Sequence, residues 1–256
     1  MQRRVHPALV FFLCWCFIVS LSGCDGFQLS RSELARANSF ITSQSLEIGI
    51  YAIVSNNAVT IHYSTEVIAC GTNAIWDGSA TAHYYGSEFV QKCNSICADG
   101  LAYKAWRGKW AASTARSPVM QISEWLQMVH QGMGYYDKTP ATASELPSQF
   151  SGIDGELYCI TLSGQHVNWS AISDMHPDSF FGGEELLNQH ETAHVNLYFG
   201  VEDRLLKGII VSTGEMSQLV NVYIKILPAD TAPSIDFSQL EIVEGTLSEE
   251  WDLKVE

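Results

Sequence analysis

Asp99-Gly100-Leu101-Ala102-Tyr103-Lys104-Ala105-Trp106-Arg107-Gly108-Lys109-Trp110-Ala111-Ala112-Ser113-Thr114 is the stretch on which the fold class turns. Leu101, Ala102, Ala105, Trp106 and Trp110 recur at three- and four-residue intervals, with Lys104, Arg107 and Lys109 between them. That spacing predicts an amphipathic helix. Gly108 interrupts the pattern at a cost of roughly 1 kcal/mol relative to alanine. Trp106 and Trp110, four apart, either face the core together or offer a surface on which a sugar or peptide ligand stacks. A second helix opens at Ser117-Pro118, an N-cap followed by proline at the first helical position. Its apolar stripe is Ile122, Trp125, Leu126, Val129 and Met133, and it stops in Gly132 to Gly134. Two central helices in an otherwise strand-forming chain predict an α+β fold.

Toward the N-terminus, Ser30-Arg31-Ser32-Glu33 has the form of a capping box, in which serine and glutamate satisfy each other's backbone N–H groups. A helix is therefore expected from residue 31, with Leu34, Ala37 and Ile41 on its buried face. Ile48, Ile50, Ala52 and Val54 then alternate, Ser55-Asn56-Asn57 reads as a turn, and Val59, Ile61 and Tyr63 alternate again, which predicts a hairpin. Gly71 to Gly86, rich in turn formers and aromatics, reads as loop or short strands. Toward the C-terminus, residues 139–151 contain Pro140 and Pro147 among Ser, Thr and Ala, a long loop and a possible seam between lobes. Leu157 to Leu162 is a strand, and from Val195 the chain is strand-like. Leu205 to Val211 and Leu219 to Leu227 make the clearest hairpin. The C-terminal half is thus expected to be mostly antiparallel. Residues 31–228 form one globular domain in this reading. Residues 229–256 form an acidic segment, with eight acids and only Lys254 beyond Asp230.

The chain is 46% hydrophobic and 16% charged, a balance that buries a core rather than remaining disordered. Its formal net charge is −14, with 28 acidic side chains. A surface this acidic argues strongly against nucleic acid as a partner, since affinity there comes from neutralising phosphates with Lys and Arg. Seven cysteines are present. Cys70, Cys93, Cys97 and Cys159 form an even set that predicts two disulfides in an exported chain, with three possible connectivities. A zinc half-site at Cys93 and Cys97 with His83 nearby lacks a second half at recognisable spacing.

One constellation carries chemistry. His190-Glu191-Thr192-Ala193-His194 matches H-E-x-x-H and resembles the motif of zincin metallopeptidases. On a helix the two imidazoles share a face and hold Zn²⁺, while Glu191 takes a proton from the metal-bound water. Val195 to Gly200 alternates like a strand directly after it. The metzincin extension is absent, with Leu197 and Gly200 in the places of its glycine and third histidine. Glu215 has the spacing of the gluzincin third ligand but falls in the expected hairpin turn. Glu202 and Asp203 are nearer carboxylates. No Gly-x-Ser-x-Gly elbow, Ser-x-x-Lys, phosphate-binding glycine loop or Cys-x-x-Cys is present.

The N-terminus supplies an address. Arg3, Arg4 and His6 precede an apolar run from Ala8 to Ser20 that is too short to span a bilayer. Leu21-Ser22-Gly23-Cys24 follows and resembles the lipobox of bacterial lipoproteins. The resemblance covers residues 1–24. It implies that residues 1–23 are removed, that Cys24 is acylated, and that residues 24–30 tether the domain to a bilayer. The mature chain would carry a formal −16, so its hold on an anionic membrane must come from the acyl chains. Asp25 resembles the signal that keeps enterobacterial lipoproteins at the inner membrane. The placement expected is the cell envelope, at the inner or outer membrane, with the domain outside the cytoplasm. The function expected is a non-catalytic, membrane-anchored module that binds a protein or ligand or serves envelope assembly, without a cofactor. The alternative is a lipid-anchored zinc peptidase using His190, Glu191 and His194.

Overall fold

The computed structural model describes residues 30–56, 58–92, 94–106, 108–113, 116–132, 137–163, 194–212, 218–244 and 252–253. Helix α1 (Arg31–Ser43) leads into three long strands, β1 (Ser45–Asn56), β2 (Val59–Cys70) and β3 (Asn73–Tyr84), paired antiparallel in succession. Along β3, the residues near its start pair with β5 (Ser95–Ala98) and those near its end with β4 (Ser87–Lys92). Strands β6 (Leu101–Trp106) and β7 (Lys109–Ala112) continue outward from β5. After helix α2 (Pro118–Gly132), β8 (Thr139–Thr142), β9 (Glu156–Ser163), β10 (His194–Gly200), β11 (Leu206–Ser212) and β12 (Gln218–Pro228) build the other half of the sheet. β13 (Asp252–Leu253) pairs with β4. The result, among the described residues, is one thirteen-stranded antiparallel sheet in the order β7-β6-β5-β3-β2-β1-β12-β11-β10-β9-β8, with β4 paired to β3 and β13 to β4.

The two halves meet at β1 and β12, which pair continuously from Leu46 opposite Pro228 to Asn56 opposite Gln218. The two-residue period decides what each face holds. On one face Leu46, Ile48, Ile50 and Ala52 of β1 join Val222, Ile224 and Ile226 of β12 and Ile160, Leu197 and Phe199 farther out, all essentially inaccessible to solvent. Both helices contribute their stripes to this core, Leu34, Ala37 and Ile41 from α1 and Val119, Ile122 and Leu126 from α2. They are linked where Ser123 Oγ donates to Asn38 Oδ1 at 2.6 Å. A smaller cluster lies on the opposite face. There Phe150, Ile153 and Leu157 pack with Ile210 against Tyr198 and Tyr223. Residues 139–153 thus serve as the edge strand β8 and, through short 3₁₀ turns at Ala143–Glu145 and Ser148–Phe150, as a cover for the outer face.

The α+β fold with two central helices is corrected by this architecture. Among the described residues there are thirteen strands and two α-helices, and the chain is predominantly β. The helix Arg31–Ser43 begins at its formed Ser30–Glu33 capping box, and the second, Pro118–Gly132, begins at the expected proline, but the Ser117 hydroxyl is buried without a hydrogen-bond partner among the described residues and does not cap it. The helix expected over 99–114 is instead the β6–β7 hairpin and the turn before it. Asp99 and Gly100 have φ of 52° and 81°, and Gly108 has φ of 81°. These left-handed values suit tight hairpin turns and are incompatible with a continuing helix. Asp-Gly was the signal to weigh against the helical spacing, since it is the strongest short-range mark of a hairpin.

Gly71 to Gly86, expected as loop or short strands, is mostly the twelve-residue strand β3. Its buried positions, Ala74, Trp76, Ala80 and Ala82, alternate. Gly78 interrupts them because a Cβ there would stand 2.5 Å from Thr65 Cβ and 2.6 Å from Ser64 O.

Candidate functional site

Glu33 is the third residue of α1 and belongs to the capping box, so one of its oxygens has a local task. Oε2 accepts from the Ser30 amide and the Ser30 hydroxyl, each at 2.9 Å. The other oxygen gathers groups from distant parts of the chain. Oε1 accepts from Lys138 Nζ at 2.8 Å, from Arg204 Nη1 at 2.8 Å and from the Tyr158 hydroxyl at 3.4 Å. The Glu33 side chain is 5% exposed and that of Lys138 11%, whereas that of Arg204 is 53% exposed. Burial alone would raise the Glu33 carboxyl. The Lys138 and Ser30 hydrogen bonds and the charge of Lys138 outweigh it and hold the group at about 2. It is therefore a carboxylate throughout the neutral range.

Each partner is held in turn. The Tyr158 ring, on β9, stacks on Phe199 at 5.3 Å and lies 4.7 Å from Lys138 Nζ. Burial and the negative charge of Glu33 push its phenol well above the usual tyrosine range, so it remains a donor. Arg204 sits in the turn between β10 and β11 with φ of 59°. Left-handed backbone costs a side-chain-bearing residue roughly 1–2 kcal/mol, so the surrounding bonds must over-determine it. They do so through Arg204 N–H to Gly200 O at 3.1 Å, Gly200 N–H to Leu205 O at 3.0 Å and Leu205 N–H to Asp203 Oδ1 at 3.0 Å.

These groups line one side of a cavity of about 550 Å³. Pro140, Ala141, Leu157 and Val201 supply apolar wall, and Glu145 and Glu156 are exposed on its lining. The Glu33–Lys138–Arg204 triad has a net charge of +1. Lys138 and Arg204 together keep N–H donors beyond those given to Glu33, since an ammonium has three and a guanidinium five. The arrangement has no nucleophile–base pair. What it can do is hold an anionic group beside apolar surface.

The residues singled out from the sequence fall elsewhere. Cys24, Cys93, His190, Glu191 and Glu215 lie outside the described residues. His194 is the exposed first residue of β10, paired with Ser163 and Ser212. A zincin motif needs its helix to continue through that second histidine, and here it is extended. Trp106 and Trp110 stand on the two strands of the β6–β7 hairpin, with Trp106 in register with Lys109 and Trp110 with Ala105. Cys70, Cys97 and Cys159 are free thiols. Burial raises the Cys97 thiol to about 11, and its Sγ donates to Thr72 O at 3.1 Å. Strand β9, with Cys159, lies five strands from β2 in the sheet order. At roughly 4.8 Å per strand this far exceeds the roughly 7 Å Cα span of a disulfide. Pairing of Cys159 with Cys70 or Cys97 is thereby excluded.

No family model and no curated protein matches the chain. Solved structures similar to it include LprF from Mycobacterium bovis, at 12% identity and a TM-score of 0.43 over 80% of this chain and 95% of that one. The hypothetical protein CT021 from Chlamydia trachomatis is similar at 11% identity and a TM-score of 0.28, over 82% and 99% of the two chains. A LolA superfamily protein, NE2245 from Nitrosomonas europaea, is similar at 8% identity and a TM-score of 0.24, over 78% and 93%.

Proposed function

We propose that this chain is an acyl-anchored binding lipoprotein of the bacterial envelope. Its ligand would be an amphiphile whose anionic group is held by Lys138 and Arg204 while its apolar part lies along Ala141, Leu157 and Val201. The observation that carries the proposal is a cationic pair with spare donors beside an apolar wall, fixed by a carboxylate that is itself fully occupied. The lipobox at Leu21 to Cys24 supports the address. Ser30 is bonded to Glu33 at the cavity and follows Cys24 by six residues, so an acylated Cys24 would hold the cavity within roughly 20 Å of the bilayer surface. A ligand drawn from the membrane would have a short path.

The test is native mass spectrometry of the full-length protein, extracted from its membrane in a non-ionic detergent. A co-purifying amphiphile is expected on the wild type and is expected to be lost from Arg204→Gln. That variant leaves the buried Lys138–Glu33 pair in place and is therefore expected to fold. Retention of the same ligand mass by the variant, or absence of any bound amphiphile from the wild type, rules the proposal out.

A further inference from the structure

A second cavity, of about 470 Å³, adjoins the first and shares Glu156 and Val201 with it. Those two residues are joined by the Val201 N–H to Glu156 O hydrogen bond at 3.0 Å. In the first cavity Lys138 and Arg204 stand among Glu33, Glu145 and Glu156, and the second is more acidic still. Asp154, Glu156, Glu202, Asp203 and Lys207 line the second cavity. Lys207 is taken up by Asp203 at 2.5 Å, and the Asp203 carboxyl is lowered because that pairing and the Leu205 amide outweigh its burial. Asp154, Glu156 and Glu202 are exposed and in no ion pair among the described residues. One turn, residues 200–205, thus carries Arg204 toward the first cavity and Glu202 toward the second. An anion alone would satisfy Lys138 and Arg204 and be repelled by the unpaired carboxylates beside them; a cation alone would do the opposite. A group bearing both charges a few ångströms apart satisfies both.

We infer that the ligand is zwitterionic, a phosphate monoanion linked to a primary ammonium as in phosphoethanolamine. The phosphate would meet Lys138 and Arg204, and the ammonium would meet Glu156 and Glu202. This rests on the binding reading above and adds to it the class of headgroup. An ammonium that keeps its N–H donors suits carboxylate acceptors, and a quaternary ammonium, having none, suits them less.

The experiment measures displacement of the co-purified ligand from the full-length protein by short-chain lipids below their micellar concentration, followed by native mass spectrometry. Dihexanoyl phosphatidylethanolamine is compared with dihexanoyl phosphatidylglycerol, which has the same acyl chains and phosphate but no ammonium. The ethanolamine lipid is expected to bind at least tenfold more tightly. In the Glu156→Gln/Glu202→Gln variant, which alters only exposed side chains, that preference is expected to vanish while phosphatidylglycerol binding is kept or improved. Equal binding of the two lipids by the wild type, lost in Arg204→Gln, overturns the zwitterion and leaves the binding site standing. Binding of neither lipid overturns both. Phosphoethanolamine without acyl chains distinguishes the sources of the headgroup. If it competes as well as the lipid, the ligand is the free zwitterion; if only the lipid competes, it is a membrane phospholipid.

Discussion

Glu33 connects a local rule of helix geometry to a tertiary site, and its energetics are open to measurement. Its carboxyl, held at about 2, lies below the ordinary glutamate value of about 4.3. A depressed carboxylate contributes stability that is fully present above the unfolded value and lost as pH falls through the folded one. The expected loss between about pH 4.5 and pH 2 is roughly 3 kcal/mol from this group. Urea denaturation across that range should show wild type and Glu33→Gln converging, because the variant has no proton to bind there. A constant difference at every pH would refute the assignment. Arg204 permits a second measurement at the same scale. Both Arg204→Ala and Arg204→Gly delete the ion pair, but only glycine is at ease at φ of 59°. The glycine variant should therefore be the more stable of the two by about 1 kcal/mol in urea melts. The capping role of Glu33 was legible in Ser30-Arg31-Ser32-Glu33. Its second role was not, because its partners lie 105 and 171 positions away and neither Lys138 nor Arg204 stands in a pattern.

At the scale of elements, the decisive competition is between side-chain spacing and turn chemistry. Leu101, Ala105 and Trp106 satisfy helical spacing, yet Asp99-Gly100 and Arg107-Gly108 bracket a six-residue segment that has only to be extended to pair. Cross-strand hydrogen bonding to β5 and β7 then replaces the helical bonds that a glycine at φ of 81° would break. The 139–151 segment is a parallel case. Its prolines suit a loop, but Phe150 turns it into a packed element by resting on Gly208, where a Cβ would come within 2.3 Å of the Phe150 ring. Tyr198 and Tyr223 flank the same ring at 6.4 and 6.3 Å. Phe150→Ala should cost about 3 kcal/mol and make residues 139–153 the first site of cleavage under limited proteolysis. If cleavage begins elsewhere at unchanged stability, the cover is not held by this contact.

Over the whole molecule, the sheet joins its most distant strands at its centre and manages its edges at the rims. The β8 edge is four residues long and carries Pro140, which has no N–H to offer another strand. At the other rim, Trp110 N–H donates to Glu241 O at 2.9 Å and Val243 N–H to Trp110 O at 2.8 Å, so part of the acidic C-terminal segment covers β7. The anchor is tested at this scale as well. Incorporation of an alkyne-tagged fatty acid should occur in the full-length protein and be abolished by Cys24→Ser, and label retained by the variant would place the lipid elsewhere. The sequence by itself determined what depends on near neighbours: where both helices begin, the alternation in β1, β2, β9, β11 and β12, the acidic net charge, and the resemblance of residues 21–24 to a lipobox. Only the tertiary structure decided that the central region is sheet, that Cys159 stands five strands from Cys70, and that Glu33, Lys138, Tyr158 and Arg204 share a cavity. The physical reason is that capping and amphipathic periodicity act over three or four residues, whereas strand pairing and charge neutralisation are satisfied by whichever segments the finished sheet brings together.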